Sequence, residues 1–297
     1  MMDDIANQDD ARGISRRAMF AAGAGGALAA AMPSSVMAAS VRRLDPNKVE
    51  DARQIVRKLR YRLDEGLLFW WIKGDYLADV DAELTPLYGM NFGSIQEVRQ
   101  LPGGAFEILQ MELGFRTDLV TGQRLTSMRN PLTGETIPVP FNPVGPSLVH
   151  YTADAIPQVN RNFGGSEIDF TPEPERPVVI QGTAYMEFRA HSRVRTPGFA
   201  DRIVNDISTI YGPAEQALDP TVMSVDARLH SSDIATFPRW MNMGARHGTI
   251  TLRGIGGKVM KIGDMPQDFL ALLDAHDRSI IADPAAALRR PQAIYKG

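Results

Sequence analysis

Residues 183–194 read Thr-Ala-Tyr-Met-Glu-Phe-Arg-Ala-His-Ser-Arg-Val, and their alternation decides the fold class. The residues at odd positions are polar or charged: Tyr185, Glu187, Arg189, His191 and Arg193. The residues between them are mostly apolar or small: Ala184, Met186, Phe188, Ala190 and Ser192. Because successive side chains of a β-strand point to opposite faces, this segment predicts a strand with one polar and one apolar face.

The same alternation recurs in two other segments. One has the polar row Ser224, Asp226, Arg228 and His230, and the other has Gln110, Glu112, Arg116 and Asp118. Runs of β-forming residues between turn signals predict strands near residues 67–79, 86–99, 105–118, 123–129, 178–194, 221–231, 247–254 and 257–262. Gly256-Gly257 lies where a two-residue hairpin turn would join the last two strands.

Helical patterns are few. Residues 46–65 predict a helix with Asp45 as its cap, Pro46 in its first turn and Gly66 at its end. Further helices are predicted over 198–212 and 266–276. Residues 130–176 contain many prolines and are predicted to form a long ordered loop. We therefore expect a mainly β fold, an antiparallel β-barrel or strongly curved sheet with a few flanking α-helices, in a single domain spanning 39–297.

The N-terminus has the pattern of an export signal. Residues 15–20 read Ser-Arg-Arg-Ala-Met-Phe, and a weakly hydrophobic run rich in Ala and Gly follows. This pattern predicts a twin-arginine signal over residues 1–38, cleaved after Ala38. The run is too short to favour the alternative, a membrane anchor. We expect the export translocon to carry the protein to the periplasm, with no stable membrane insertion of the mature chain.

Composition and motifs exclude several functions. Among 297 residues there are 32 Lys plus Arg and 35 Asp plus Glu, a net charge of -3 that argues against nucleic-acid binding. The chain has no cysteine, which excludes a thiolate nucleophile and a cysteine-ligated cluster. It also has no glycine-rich nucleotide loop. We therefore expect no cofactor.

The polar rows have two interpretations. They face water, as on any one-sided antiparallel sheet, or they line the lumen of a barrel. Their content of Tyr, His, Glu and Arg, with little Lys or Thr, favours the lumen. If the rows converge there, the chemistry is acid–base, with His or carboxylate transferring protons and Arg or Tyr stabilising an oxyanion. The candidate catalytic residues are Tyr185, Glu187, Arg189, His191, Asp226, Arg228 and His230.

Metal and nucleophilic chemistry are less favoured. Glu187, His191, Asp226 and His230 are of ligand types that bind zinc or iron, but arginines lie among them and no His-Glu-x-x-His spacing occurs. We therefore predict no metal site. A Ser-His-Asp triad is disfavoured because the chain has no Gly-x-Ser-x-Gly elbow.

Other residues could form the walls of a substrate pocket. Trp71 lies on the first predicted strand, Asn130 begins a turn, and Arg239-Trp240 follows a strand end, where it frames a pocket or plugs the barrel. The alternative for the aromatic residues is a place in the core. The candidate substrate-binding residues are Trp71, Glu112, Arg116, Arg129, Asn130, Arg239 and Trp240.

Three motifs carry a family resemblance. They are Thr117-Asp118-Leu119-Val120-Thr121-Gly122, Asn130-Pro131-Leu132-Thr133-Gly134-Glu135, and Phe237-Pro238-Arg239-Trp240-Met241-Asn242-Met243-Gly244. With these motifs the chain resembles the domain-of-unknown-function family 1838 over roughly residues 48–275. The resemblance implies a domain of this extent and export, but no catalytic residues. Arg129 stands where the family pattern has an aromatic residue, which could alter a ligand contact.

Two functions fit these observations. The first is an exported, cofactor-independent enzyme, with elimination by a lyase favoured, acting on a hydrophobic, aromatic small molecule. The second is a lipocalin-like protein that binds or carries an apolar ligand without changing it. A carrier needs few charges in its interior, whereas a catalyst needs perturbed ones.

Overall fold

The computed structural model describes residues 42–141, 143–153, 157–158, 162–163, 166–172, 176–197 and 200–290. These residues belong to one compact unit. The predicted export signal, residues 1–38, lies outside the described ranges. Within those ranges, no helix combines the length and the apolar character needed to cross a membrane.

The described part of the chain is mainly β, as predicted. Its strands are β1 Gly66–Val80, β2 Glu83–Gln100, β3 Phe106–Thr117, β4 Ser127–Arg129, β5 Thr136–Pro138, β6 Val144–Tyr151, β7 Pro157–Gln158, β8 Asn162–Phe163, β9 Ser166–Pro172, β10 Val178–Ile180, β11 Thr183–Arg195, β12 Arg202–Pro213, β13 Arg228–Thr236 and β14 Thr249–Val259. Its helices are α1 Val49–Arg60, α2 Ala214–Leu218, α3 Gln267–Ala282 and α4 Pro284–Leu288. Short 3-10 turns occupy Pro102–Gly104, Arg239–Met241 and Ile262–Asp264.

One antiparallel sheet holds most of the strands, in the order β7-β6-β3-β2-β1-β14-β13-β12-β11-β9-β8. Five strand spacings separate β3 from β12, which is about 24 Å in a flat sheet. Nevertheless, Ile108 of β3 and Ile210 of β12 belong to one cluster of buried apolar residues, and the charge of Asp206 on β12 acts on Glu112 on β3. The sheet is therefore curled into a half-barrel, with β3 and β12 on facing walls.

The concave face of the half-barrel is closed at one end by α1. Ile55 and Leu59 of this helix are buried against residues from many strands, among them Leu68, Met186 and Ile210. Residues of β1, β3 and β11–β13 share this cluster because the curled strands converge on the helix. The apolar row of residues 183–194, with Ala184 and Met186, therefore packs inward against α1.

The convex face is covered by helices only over part of its width. Phe269 and Leu273 of α3 are buried against Phe69, Leu113 and other residues from β1–β3. Helix α2 contacts β11 and β12 and buries Ala214 and Ala217 in the inner cluster. On the convex face of β11, the side chains of Glu187, Arg189 and His191 are exposed.

The C-terminal end of α1 is fastened to the sheet by side chains. The Lys258 ammonium donates hydrogen bonds to the carbonyl oxygens of Lys58, Leu59 and Tyr61 at 2.6, 3.0 and 2.7 Å. The Trp70 indole donates to the carbonyl of Arg60 at 3.0 Å. Carbonyls at a helix end have no partner within the helix, so these bonds satisfy them.

Two predicted elements have the wrong type. Residues 198–212 were predicted to be helical, but Arg202–Pro213 is strand β12, whose β-branched residues pair with β11 on one side and β13 on the other. The predicted hairpin at Gly256-Gly257 is instead the interior of β14. A Cβ on Gly256 would lie 2.1 Å from the carbonyl oxygen of Trp71, so this glycine allows close strand contact rather than a turn.

Other predicted boundaries need correction. The segment 178–194 is a hairpin of β10 and β11, turning at Gln181-Gly182, where both residues have positive φ. The predicted loop 130–176 contains β5–β9 in its described part. Helix α1 is shorter than predicted, and Asp45 accepts a bond from the Asn47 backbone N–H instead of capping it. Strand β13 begins at Arg228 rather than near residue 221.

Candidate functional site

The row predicted to be catalytic lies on the convex face. Glu187, Arg189 and His191 of β11 are exposed, as are Asp226, Arg228 and His230, and Tyr185 is partly exposed. The interpretation of this row as the lining of a lumen was therefore wrong, because the alternate, apolar row packs against α1. The catalytic role assigned to these residues stays a prediction.

The contacts of this convex row are those of a solvated sheet surface. Glu187 and Arg189 form an ion pair at 2.8 Å. The His191 Nδ1 lies 2.9 Å from Oδ1 of Asn205 on the neighbouring strand. Asp226 accepts a hydrogen bond from the side chain of Gln216 at 3.1 Å. Exposed pairs of this kind contribute little to stability.

The concave face carries the polar residues of β2 and β3. Cross-strand pairs place Ser94 beside Glu112 and Gln96 beside Gln110 on this wall. Arg116 follows Glu112 by four residues, so its side chain points to the same face of β3. The two predicted substrate-binding residues Glu112 and Arg116 thus lie on the inner face, as the lumen interpretation of β3 requires.

The opposite wall, formed by β12 and β13, adds two carboxyl groups. The strand register places Asp206 opposite Asp233, with Ser208 opposite Ser231 in the next inward pair. The Ser208 hydroxyl donates to Ser231 Oγ at 3.2 Å, and the Ser231 hydroxyl donates to Asp233 at 3.0 Å. Three carboxyl groups, one from β3 and two from this wall, therefore face the same groove.

These carboxyl groups are perturbed by their surroundings. Burial, reinforced by the charge of Asp206, raises the pKa of Glu112 to about 7. Burial and Asp206 also raise the pKa of Asp233 to about 7, against the hydrogen bond from Ser231. Burial raises the pKa of Asp206 despite the nearby Arg202 and Arg60. Because their side chains keep some accessible surface while protein atoms surround them, they lie in a groove that water enters.

The floor between the two walls is built by β1 and β14. Three glycines, Gly74, Gly254 and Gly256, fall on the concave side of this strand pair. A Cβ on Gly74 would lie 2.1 Å from the Arg253 carbonyl oxygen, so these positions allow β1 and β14 to approach closely where the sheet bends. The absence of side chains there also leaves the groove open.

An aromatic cluster closes the other end of the groove. The ring of Tyr88 lies 5.0 Å from that of Tyr76 and 5.7 Å from that of Trp240. The Arg116 guanidinium lies 5.0 Å from the centre of the Trp240 ring and donates to the Pro140 carbonyl at 2.6 Å. Burial raises the pKa of both tyrosines, so they stay protonated donors at neutral pH. The barrel-plug interpretation of Trp240 matches this position.

Asn130 holds the cluster in place. This fully buried side chain donates to the Met241 carbonyl at 2.8 Å and accepts from the Leu132 N–H at 3.0 Å. It therefore ties the β4–β5 hairpin to the turn that carries Trp240. These contacts give Asn130 a positioning role, and its predicted contact with substrate stays a prediction.

The remaining predicted substrate-binding residues lie elsewhere. Trp71 faces the convex side of β1 and packs partly buried against the cluster beneath α3. Arg129 is exposed on the β4–β5 hairpin, where its Nε donates to the Gly134 carbonyl at 3.3 Å. Arg239 is exposed beside Trp240. The structure does not bring these three together with Glu112 and Arg116.

Asp206, Asp233 and Gln96 were missed as site residues. Asp206 fell in a predicted helix, and Asp233 lay beyond the predicted end of its strand. The signal that could have found Asp233 is the inward row Leu229, Ser231, Asp233 and Ala235, where apolar residues flank two polar ones. Polar residues between apolar ones on a single strand face indicate a groove with closed ends.

No group of three or more His, Cys, Asp or Glu side chains in the described ranges has the geometry to hold a metal ion. The chemistry that the groove residues themselves offer is proton transfer between carboxyl groups near neutrality, beside arginine and tyrosine donors.

Two comparisons with known proteins bear on the chain. A family model described as "Protein of unknown function (DUF1838)" matches residues 65–284. No curated protein matches the sequence. The matched range begins just before β1 and ends at the first residue of α4, so it includes both walls of the groove and its floor.

Proposed function

This chain belongs to the DUF1838 family, and we propose that it is a cofactor-independent acid–base enzyme acting on a hydrophobic, aromatic small molecule. The substrate binds in the groove of the half-barrel, and elimination by a lyase is the favoured reaction. The single observation that carries the proposal is the pair of carboxyl groups with pKa values of about 7, Glu112 and Asp233, on facing walls of the groove.

The groove has the groups that an elimination needs. An ionised carboxylate removes a proton from the substrate, the electron pair of that bond forms the new double bond, and the bond to the leaving group breaks. A protonated carboxyl on the other wall then protonates the leaving group. A carboxyl with a pKa near 7 is present in both forms at neutral pH, which suits it to either part. Arg116 is placed to stabilise oxygen charge.

The test is turnover of aromatic compounds by the purified mature protein, followed by mass spectrometry. Once a substrate is found, E112Q and D233N are each expected to lower kcat by about 100-fold or more, as for loss of a general acid or base. The control E215Q, at an exposed carboxylate of α2 outside both candidate sets, is expected to keep full activity. If H191A and H230A abolish turnover and E112Q does not, the reaction takes place on the convex face instead. If compounds bind unchanged, the protein is a carrier.

We also propose that the protein is delivered to the periplasm by the twin-arginine route. The proposal is supported by the Arg16-Arg17 pair and the weakly hydrophobic run after it. Mass spectrometry of the periplasmic fraction is expected to show a chain beginning at Ala39. The double substitution Arg16→Lys and Arg17→Lys is expected to retain the uncleaved chain in the cytoplasm, and an unchanged distribution would contradict the proposal.

A further inference from the structure

The groove has polar atoms without a hydrogen-bond partner at both of its ends, acceptors at one end and donors at the other. The acceptors lie at the end where Glu112 is placed. Gln96 is only 8% exposed, and its Nε2 donates to Ser94 at 3.1 Å, but its Oε1 has no donor among the described residues. Within the same part of the chain, no donor or cation contacts the Glu112 carboxylate beside it. An acceptor without a protein donor takes its hydrogen bond from water or from a bound molecule, so this end of the groove suits a group that donates hydrogen bonds.

At the aromatic end the unpartnered atoms are donors. The buried Nε of Arg116 and the buried Nε1 of Trp240 have no acceptor within the described residues. The two side chains lie against each other, with the guanidinium 5.0 Å from the indole ring centre. The guanidinium also acts on the Tyr88 hydroxyl. The two N–H groups without a protein acceptor suit a group that accepts hydrogen bonds, and the guanidinium favours one that is negatively charged.

The space between the two ends fits an aromatic ring. Glu112 and Arg116 are four residues apart on the same face of β3, which puts their Cα atoms about 13 Å apart. Gly114 lies midway between them on that face and has no side chain. A Cβ there would lie 3.7 Å from the ring of Phe92, the residue opposite it on β2. The Phe92 ring therefore borders the space that the missing side chain of Gly114 leaves open.

We propose that the substrate is an elongated aromatic molecule with a carboxylate at one end and a hydroxyl at the other, lying along β3 across Gly114. Arg116 and Trp240 donate hydrogen bonds to the carboxylate, and the hydroxyl donates its single hydrogen bond to the Glu112 carboxylate, beside Gln96. The carboxyl groups of Glu112, Asp206 and Asp233 repel an anion from their end, which fixes the direction of binding. This assignment rests on the proposed function and adds the polarity of the substrate.

The experiment uses three para-substituted benzenes as calorimetric probes on the mature protein. They are 4-(hydroxymethyl)benzoate, 4-methylbenzoate without the hydroxyl, and 4-methylbenzyl alcohol without the carboxylate. In the wild type, loss of either group is expected to weaken binding about tenfold. In R116M the carboxylate should no longer matter while the hydroxyl still does, and in E112L the reverse is expected. If R116M does not fold, W240F takes its place: it keeps an aromatic ring but removes the Nε1 donor, so binding should again no longer depend on the carboxylate.

The outcomes separate the two proposals. Equal binding of all three probes, or the same response of R116M and E112L to each probe, overturns the assigned polarity and leaves an aromatic site. Binding of none of the probes at millimolar concentration overturns the aromatic substrate itself. The variant E215L, at an exposed carboxylate of α2 outside the candidate site, is the control and should bind all probes as the wild type does.

Discussion

Glu112 is the residue whose protonation should be visible in the stability of the protein. Its pKa is raised from 4.5 to about 7 by burial and by Asp206, so between these values the folded chain holds a proton that the unfolded chain has lost. The free energy of unfolding therefore falls as pH rises through this window, and the penalty is complete above pH 7. E112Q removes it. We expect E112Q to be more stable than the wild type by about 1–3 kcal/mol at pH 8 and equal to it near pH 4.

Urea denaturation at the two pH values checks this expectation. The matched control is E187Q, since Glu187 is half-exposed on the convex face and paired with Arg189. Its stability relative to the wild type should be the same at both pH values. A pH-independent effect of E112Q would contradict the environment described for Glu112.

Lys258 is a second residue whose role follows from its contacts. Its ammonium group satisfies three carbonyls at the end of α1, although burial lowers its pKa well below the usual range. K258M keeps the aliphatic stem but leaves buried carbonyls without donors. We expect a loss of about 3–5 kcal/mol in the free energy of unfolding, measured in urea. The exposed Lys261→Met is the control, and an equal effect of both substitutions would refute the anchoring role.

The sequence predicts individual site residues unevenly. The alternation in β3 places Glu112 and Arg116 on one face, and the turn chemistry of residues 130–135 is seen in the bond from the Gly134 N–H to the Asn130 carbonyl. By contrast, alternation divides a strand into two rows without saying which row faces inward. The row of β11 that is polar throughout suggested a lumen. A strand face that lines a groove with apolar ends instead has polar residues between apolar ones, as β13 does. Such mixed rows contain the residues of the candidate site.

At the scale of the element, β14 is defined by its glycines. A Cβ on Gly256 would lie 2.1 Å from the Trp71 carbonyl oxygen and 3.2 Å from Leu229. G256A must therefore push β1 away at the bend of the half-barrel. We expect this substitution to lower the free energy of unfolding by about 3 kcal/mol or more, as for other changes that strain a packed core. Thermal unfolding followed by circular dichroism measures the effect.

Gly263 provides the control for this prediction. It has open space around a Cβ, so G263A is expected to change stability by about 0.5 kcal/mol or less. If G256A changed stability as little as G263A, the close contact between β14 and β1 at Gly256 would be contradicted. The Gly256-Gly257 pair would then fit the predicted hairpin turn better than the interior of a strand.

Element types were predictable where local and tertiary signals agree. β1, β2 and β3 lie within a few residues of their predicted bounds, since their apolar runs and flanking turns point to the same structure. Residues 198–212 were predicted to be helical but contain β12, although Ile203, Ile207 and Ile210 recur at a spacing that a helix also allows. The pairing of β12 with two neighbouring strands overrides that spacing, and such pairing depends on residues far along the chain.

For the whole molecule, the curl of the sheet is what makes a site. In a flat sheet β3 and β12 would be about 24 Å apart, and Glu112 and Asp206 could not affect each other. Curling brings the two walls together, encloses their carboxyl groups between the α1 cluster and the aromatic cluster, and raises their pKa values. The function proposed for the groove therefore depends on a property that no single strand carries.

Cross-linking tests this curl directly, because the chain has no native cysteine to give a background. The double variant E112C/D206C places one thiol on each wall of the groove. We expect a bifunctional maleimide, much shorter than the span of a flat sheet, to join the two thiols within one folded chain and not in urea. The pair E112C/E187C is the control, since Glu187 lies on the convex face of β11, next to β12. Equal cross-linking of both pairs, or of neither, would mean that the walls do not face each other. That result would contradict both the groove and the proposed proton transfer between its carboxyl groups.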